Sequence, residues 1–179
     1  MEKVDRRVKY TKDLLRDALV ELLLDTHISK ISVTKLCEVA DVHRSTFYTH
    51  YKDQFDLLDQ IQLEVLDNIK LNLEKQSFND LRSITEQKLV KVLDYGKKNP
   101  RLVLVLLSDS STETFRSAIV SYVNLISFSG KKNYSSEMKE YIASYCVSGT
   151  ISIINQWLRN EMKESTTEIA HLIIQLTRG

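Results

Sequence analysis

The sequence predicts an all-α fold, and three observations carry that prediction. The 179 residues include one proline and four glycines, whereas an average soluble chain devotes about 12% to the pair. Chains of many strands spend those residues on turns, so sandwiches, propellers and glycine-looped α/β enzymes are disfavoured. Gly96, Gly130, Gly149 and Gly179 also stand too far apart to build a phosphate-cradling loop. Finally, apolar residues make up 42% of the chain, enough to fill a core, and they recur at helical spacing along most of it.

The elements follow in order. Periodicity begins near Tyr10, where Leu14, Leu15, Ala18, Leu19, Leu22 and Leu23 mark one face through about residue 26. The opposite face carries Lys9, Lys12 and Arg16 beside Asp13, Asp17, Glu21 and Asp25, which reads as a solvated surface with supporting pairs four residues apart. After a polar break at 26–30, Ser32 suits the N-cap of a short helix through Val33, Leu36, Cys37, Val39 and Ala40. Asp41-Val42-His43 interrupts it, and Arg44–Lys52 forms a further short helix that packs through Phe47 and Tyr51. Asp53 then caps a long helix on Phe55, Leu58, Ile61, Val65, Ile69 and Leu73. Polar residues at 76–80 mark the one candidate boundary. Beyond it lie helices near 80–98, 100–108, 112–129, 135–160 and 166–178, with Pro100 suited to a first turn and a loop over Gly130–Ser136. The total is about nine helices.

Charge is balanced, with 25 Lys+Arg against 24 Asp+Glu. Residues 1–52 hold 10 basic and 8 acidic residues, and that excess of two weighs mildly against nucleic-acid binding. Cys37 and Cys146 lie far apart in apolar helical patterns, which predicts buried free thiols and a reducing compartment. The charged start, Glu2, Lys3, Asp5, Arg6 and Arg7, has no apolar run behind it. The longest apolar run, Leu102–Leu107, is too short to cross a membrane. A soluble cytoplasmic protein is expected.

Two short helices joined by a tight turn and braced by a longer one have the proportions of a helix-turn-helix. The last helix of such a motif must be held rigidly while presenting donors to base edges and phosphates. Arg44, Ser45, Thr46, Tyr48, Thr49, His50 and Lys52 supply donors almost without interruption, and only Phe47 and Tyr51 are spent on packing. An amphipathic surface helix would carry glutamates and lysines instead.

Residues 10–58 resemble the N-terminal DNA-binding domain of the TetR/AcrR family of bacterial transcription regulators, with Ser32 to Asp53, continuing to Phe55-Asp-Leu-Leu, as the matching stretch. Val42 and the run Thr46-Phe-Tyr-Thr-His-Tyr-Lys52 carry the resemblance. It implies that Thr34 meets a phosphate or base at a helix start. It also implies that Arg44 and Ser45 reach base edges, with Arg44 able to bond a guanine bidentately. Thr46, Tyr48 and His50 would hold phosphates, Lys52 would pair with another, and Thr49 would face a thymine methyl. His43 would serve as a cap or a phosphate contact. Each also has a structural reading: Tyr48 as a packed aromatic, and His50 as a cation favoured at a helix C-terminus. Two departures from the family pattern stand out. Asp41 occupies the usual turn glycine, and Gln54 replaces a basic residue, which implies modest affinity with a shallow salt dependence.

Residues 1–54 are thus expected to read DNA, 55–78 to form a connecting helix, and 79–179 to bind an effector and dimerise. The C-terminal stretches Tyr141–Leu158 and Lys163–Ala170 resemble one subgroup of the family found in low-GC Gram-positive bacteria. Ile142, Cys146, Gly149 and Ile153, with Ile169, Leu172, Ile173 and Leu176 on the last helix, are expected to form a four-helix homodimer interface, the alternative being a stripe that packs only inside one subunit. Small residues such as Ser144, Ser148 and Gly149 would allow close helix approach. Tyr95, Phe115, Tyr122, Phe128, Tyr141, Tyr145 and Trp157 would line an effector pocket, or else serve as core.

The expected function is a DNA-binding regulator, a repressor by family habit, released from a palindromic operator by a small-molecule effector or controlled by a protein partner. The alternative is a helical co-regulator that has lost specific DNA affinity. No nucleophile elbow, phosphate loop or metal-ligand spacing marks an enzyme, a cofactor or a metal site, and His171 reads as a surface or interface residue.

Overall fold

The computed structural model describes residues 6–74, 81–108, 115, 117, 118, 120 and 135–178. The expected boundary at 76–80, most of the expected helix at 112–129, and Tyr122 and Phe128 lie outside these residues. Every described element is helical. They are α1 (Arg6–Leu23), α2 (Val33–Ala40), α3 (Arg44–Tyr48), α4 (Gln54–Glu74), α5 (Leu81–Lys98), α6 (Pro100–Leu106), α7 (Ser136–Arg159) and α8 (Thr166–Arg178), with a 3-10 turn at Ile28–Lys30.

Local chemistry sets the boundaries. The Ser32 hydroxyl accepts the Lys35 N–H at 3.1 Å and starts α2. Asp53 Oδ1 accepts the N–H groups of Phe55 and Asp56 at 2.9 Å and starts α4. Pro100 opens α6 at a position where no intrahelical N–H is needed. At α8, Ser165 and Glu168 close a reciprocal capping box: the Glu168 carboxylate accepts the Ser165 N–H at 2.8 Å, and the Ser165 hydroxyl accepts the Glu168 N–H at 3.2 Å.

The buried residues fall into two clusters. The first joins Leu15 and Leu19 of α1, Leu36 of α2, Phe47 of α3 and Leu57 and Ile61 of α4. It also includes Leu102, Val105 and Leu106 of α6, together with Phe115. The core under the first four helices therefore continues into the C-terminal half, and α1 packs directly on α6. The second cluster joins Leu89 and Leu93 of α5, Trp157 and Leu158 of α7, and Ile169, Ala170, Ile173 and Ile174 of α8. No helix among the described residues is long and apolar enough to cross a membrane.

Candidate nucleic-acid interface

The interface is built from α2, α3 and the turn between them. Leu36, Cys37 and Ala40 bury one face of α2. The chain leaves α2 through Asp41, whose backbone is left-handed at φ 51 and ψ 45. The Val42 N–H reaches back to the Cys37 carbonyl at 3.0 Å, and the Asp41 N–H to Glu38 at 3.3 Å. This is the closure that a glycine usually supplies; aspartate accepts the left-handed region better than most residues. Val42 then packs against the core.

Phe47 fixes α3. It is fully buried, meets the edge of Tyr48 at 5.4 Å between ring centres, and lies 5.6 Å from Tyr51. With that side inward, His43, Arg44, Ser45, Tyr48 and Thr49 are exposed, and Thr46 and His50 are half-buried. Thr34 is exposed in the first turn of α2, and Lys52 is exposed just beyond α3. The expected DNA-reading residues are therefore accessible, while Leu36, Phe47 and Tyr51 serve as core.

Three details refine the expectations. The helix ends at Tyr48 rather than near Lys52, because Thr49 and His50 bond back to the carbonyls of Thr46 and Phe47 and tighten the chain into a turn. The Thr49 hydroxyl donates to the Thr46 carbonyl at 2.6 Å, which commits its proton and leaves the methyl group for apolar contact. His43 occupies the N-cap position but makes no side-chain cap bond, so its imidazole is not used as a cap.

Sequence reasoning missed two supporting residues. Asp56 Oδ2 accepts the Lys52 N–H at 2.8 Å and Oδ1 accepts the Gln60 amide at 3.1 Å, so the loop carrying Lys52 is tied to α4. The Lys52 N–H, then the Gln60 amide, hold the Asp56 carboxyl below the usual carboxylate range. Its signal was the spacing from Asp53, cap residue to third helical residue. Lys12 of α1 places its ammonium 5.8 Å from the Tyr51 ring centre, bracing the end of the turn. Burial raises the Cys37 thiol above its ordinary value, against the opposing charge of Arg44.

A family profile described as a transcriptional regulator C-terminal region, of TetR type, matches residues 85–179, more than half of the chain. The chain belongs to the TetR family of transcriptional regulators. Solved structures share the fold over nearly the whole length. A TetR regulator from Streptococcus agalactiae 2603V is 23% identical with a TM-score of 0.66, covering 97% of this chain and 96% of that one. A TetR-family regulator from Bordetella parapertussis 12822 is 13% identical with a TM-score of 0.74, covering 93% of each chain. FadR from Bacillus subtilis, in complex with stearoyl-CoA, is 16% identical with a TM-score of 0.62, covering 93% of this chain and 97% of that one. No curated protein matches.

The TetR-family C-terminal region distributes the remaining candidates unevenly. Ile169 and Ile173 are buried inside the subunit against α5 and α7, whereas Leu172 and Leu176 are exposed at 41% and 56%. Cys146 is buried, and Ile142 and Gly149 are half-buried. Ile153 packs on the second cluster. Among the described residues, a Cβ added at Gly149 meets nothing within 4 Å, so none of them makes the close helix approach expected there. The aromatic candidates do not share one place either. Tyr95 and Phe115 belong to the first cluster, Trp157 to the second, and Tyr141 and Tyr145 are exposed on α7. His171 lies on the surface with Nδ1 3.9 Å from a Glu86 carboxylate oxygen. Both cysteines are free and buried, as expected.

Proposed function

We propose that this TetR-family regulator is a cytoplasmic, sequence-specific repressor that binds a palindromic operator as a homodimer and leaves it when a small-molecule effector binds. The observation that carries the reading is the face of α2 and α3 held outward by the buried Phe47. On it, Arg44 and Ser45 read base edges, Thr49 offers a methyl to thymine, and Thr34, His43, Thr46, Tyr48, His50 and Lys52 contact phosphates. Residues 1–54 form the reading unit, 55–78 the connection, and 79–179 the regulatory part.

Dimerisation uses the outward face of α7 and α8. Tyr141, Tyr145, Leu172 and Leu176 are all exposed in the single chain, and exposed apolar side chains of this size favour burial against a second copy. FadR, whose structure holds stearoyl-CoA, supports a small-molecule effector for this fold. No group of three or more side chains that could hold a metal ion stands among the described residues.

A gel shift with the DNA upstream of the chain's own coding sequence tests the reading. Arg44→Ala should cost roughly 1–3 kcal/mol of specific affinity and relax the preference at one base pair. Lys52→Ala should weaken binding to all sequences and lower the salt slope by about 1. Parent-like binding by both variants overturns the assignment, and absence of any shift favours the co-regulator alternative.

A further inference from the structure

Between α1 and α4, on the N-terminal helices, lies a half-open cleft of about 410 Å³ that the DNA-reading face does not use. One wall is α1, with Lys12 and Arg16 a helical turn apart; the other is α4, with Glu64 and Asp67. Tyr51, Ile61 and Leu63 add aromatic and apolar side chains to the lining. The volume falls within the range that small-molecule sites occupy.

Its charges are divided unevenly between the walls: α1 brings Lys12 and Arg16 together with Asp13, and α4 brings only the carboxylates Glu64 and Asp67. A simple anion drawn to Lys12 and Arg16 would face Glu64 and Asp67, with Asp13 beside Lys12. A simple cation drawn to those carboxylates would face Lys12 and Arg16. Only a ligand that carries both signs satisfies both walls at once. The contact now spanning the cleft is a loose one: Arg16 Nη1 stands 3.7 Å from Glu64 Oε1, and the Glu64 side chain is 60% exposed. The Arg16 side chain is 26% exposed, and a single contact this long with one well-solvated partner contributes little, so a ligand that meets both ends displaces it at small cost. Burial, then the charges of Glu64, Asp56 and Asp13, push the Tyr51 hydroxyl up to about 12, so it remains a proton donor at physiological pH.

We propose that the cleft between α1 and α4 is a second small-molecule site, for an amino-acid-like dipolar ion. Its carboxylate meets Lys12 and Arg16, and its ammonium meets Glu64 and Asp67. The site lies on different helices from the proposed effector region and does not depend on that reading.

Thermal shift and titration calorimetry on the full chain at low salt test it. The probes are the standard L-amino acids, putrescine and inorganic phosphate, each at millimolar concentration. One or more amino acids should raise the melting temperature, while putrescine and phosphate leave it unchanged. Arg16→Gln and Glu64→Gln should each weaken that binding several-fold, and added salt should weaken it too. Circular dichroism confirms folding; should Glu64→Gln fail to fold, Asp67→Asn tests the ammonium side instead. Binding of no amino acid overturns the proposal, as does binding of putrescine or phosphate in its place. Amino-acid binding that survives both substitutions assigns the ligand to another part of the chain and also overturns it.

Discussion

The indole N–H of Trp157 donates to the backbone carbonyl of Glu164 at 3.0 Å, across the corner between α7 and α8. Around it the chain turns through two consecutive left-handed residues, Glu161 at φ 59 and Met162 at φ 55. The Met162 N–H bonds back to the Trp157 carbonyl at 3.0 Å. Trp157 therefore holds the corner from both its side chain and its backbone. Replacing it by Phe keeps most of the apolar bulk and leaves the Glu164 carbonyl without that donor. Trp157→Phe should lose about 1–2 kcal/mol, read from urea unfolding followed by circular dichroism.

Asp41 sits where a glycine would meet no steric penalty. Asp41→Gly removes the left-handed cost and pays part of it back in chain entropy, so it should stabilise the protein by about 0.5 kcal/mol. The unfolding midpoint measures this. Operator affinity should be unchanged, because the turn geometry is already the one that glycine favours.

Asp56 links stability to pH. Its folded pKa is held below the ordinary value, so its contribution is present above the ordinary carboxylate value and is lost as pH falls through the lowered one. The stability gap between the parent chain and Asp56→Asn should therefore be full at neutral pH and should close under acid conditions. Unfolding midpoints of both proteins across that range measure the effect.

The proposed dimer can be broken from its exposed face. Leu172→Glu combined with Leu176→Glu adds charge to side chains that are exposed in the single chain. It should therefore leave the subunit folded while shifting sedimentation from dimer to monomer. A double variant that stays dimeric excludes this face.

Local chemistry was the most legible part of the sequence. Ser32 and Asp53 each act on backbone groups within three residues, so their effect does not depend on distant packing. The length of α3 was less legible. Donor-rich residues continue past Tyr48, but the chain must tighten there to bring Asp53 into its capping position. The facing of α8 was not legible at all. Its Ile169-Ala170 and Leu172-Ile173-Ile174 run is apolar on more than one side, so periodicity alone cannot say which side meets α5. The structure turns Ile169 and Ile173 inward and Leu172 and Leu176 outward.

The continuous core beneath α1, α4 and α6 limits how such a protein can be recombined. A chimaera that carries residues 1–54 onto a relative's C-terminal half would bring Leu15 and Leu19 to a surface shaped for different side chains than Leu102, Val105 and Leu106. Residues 1–54 are therefore not an interchangeable cassette. Under the proposed function, a new specificity enters through substitutions on the outward face of α2 and α3, leaving α1 in place.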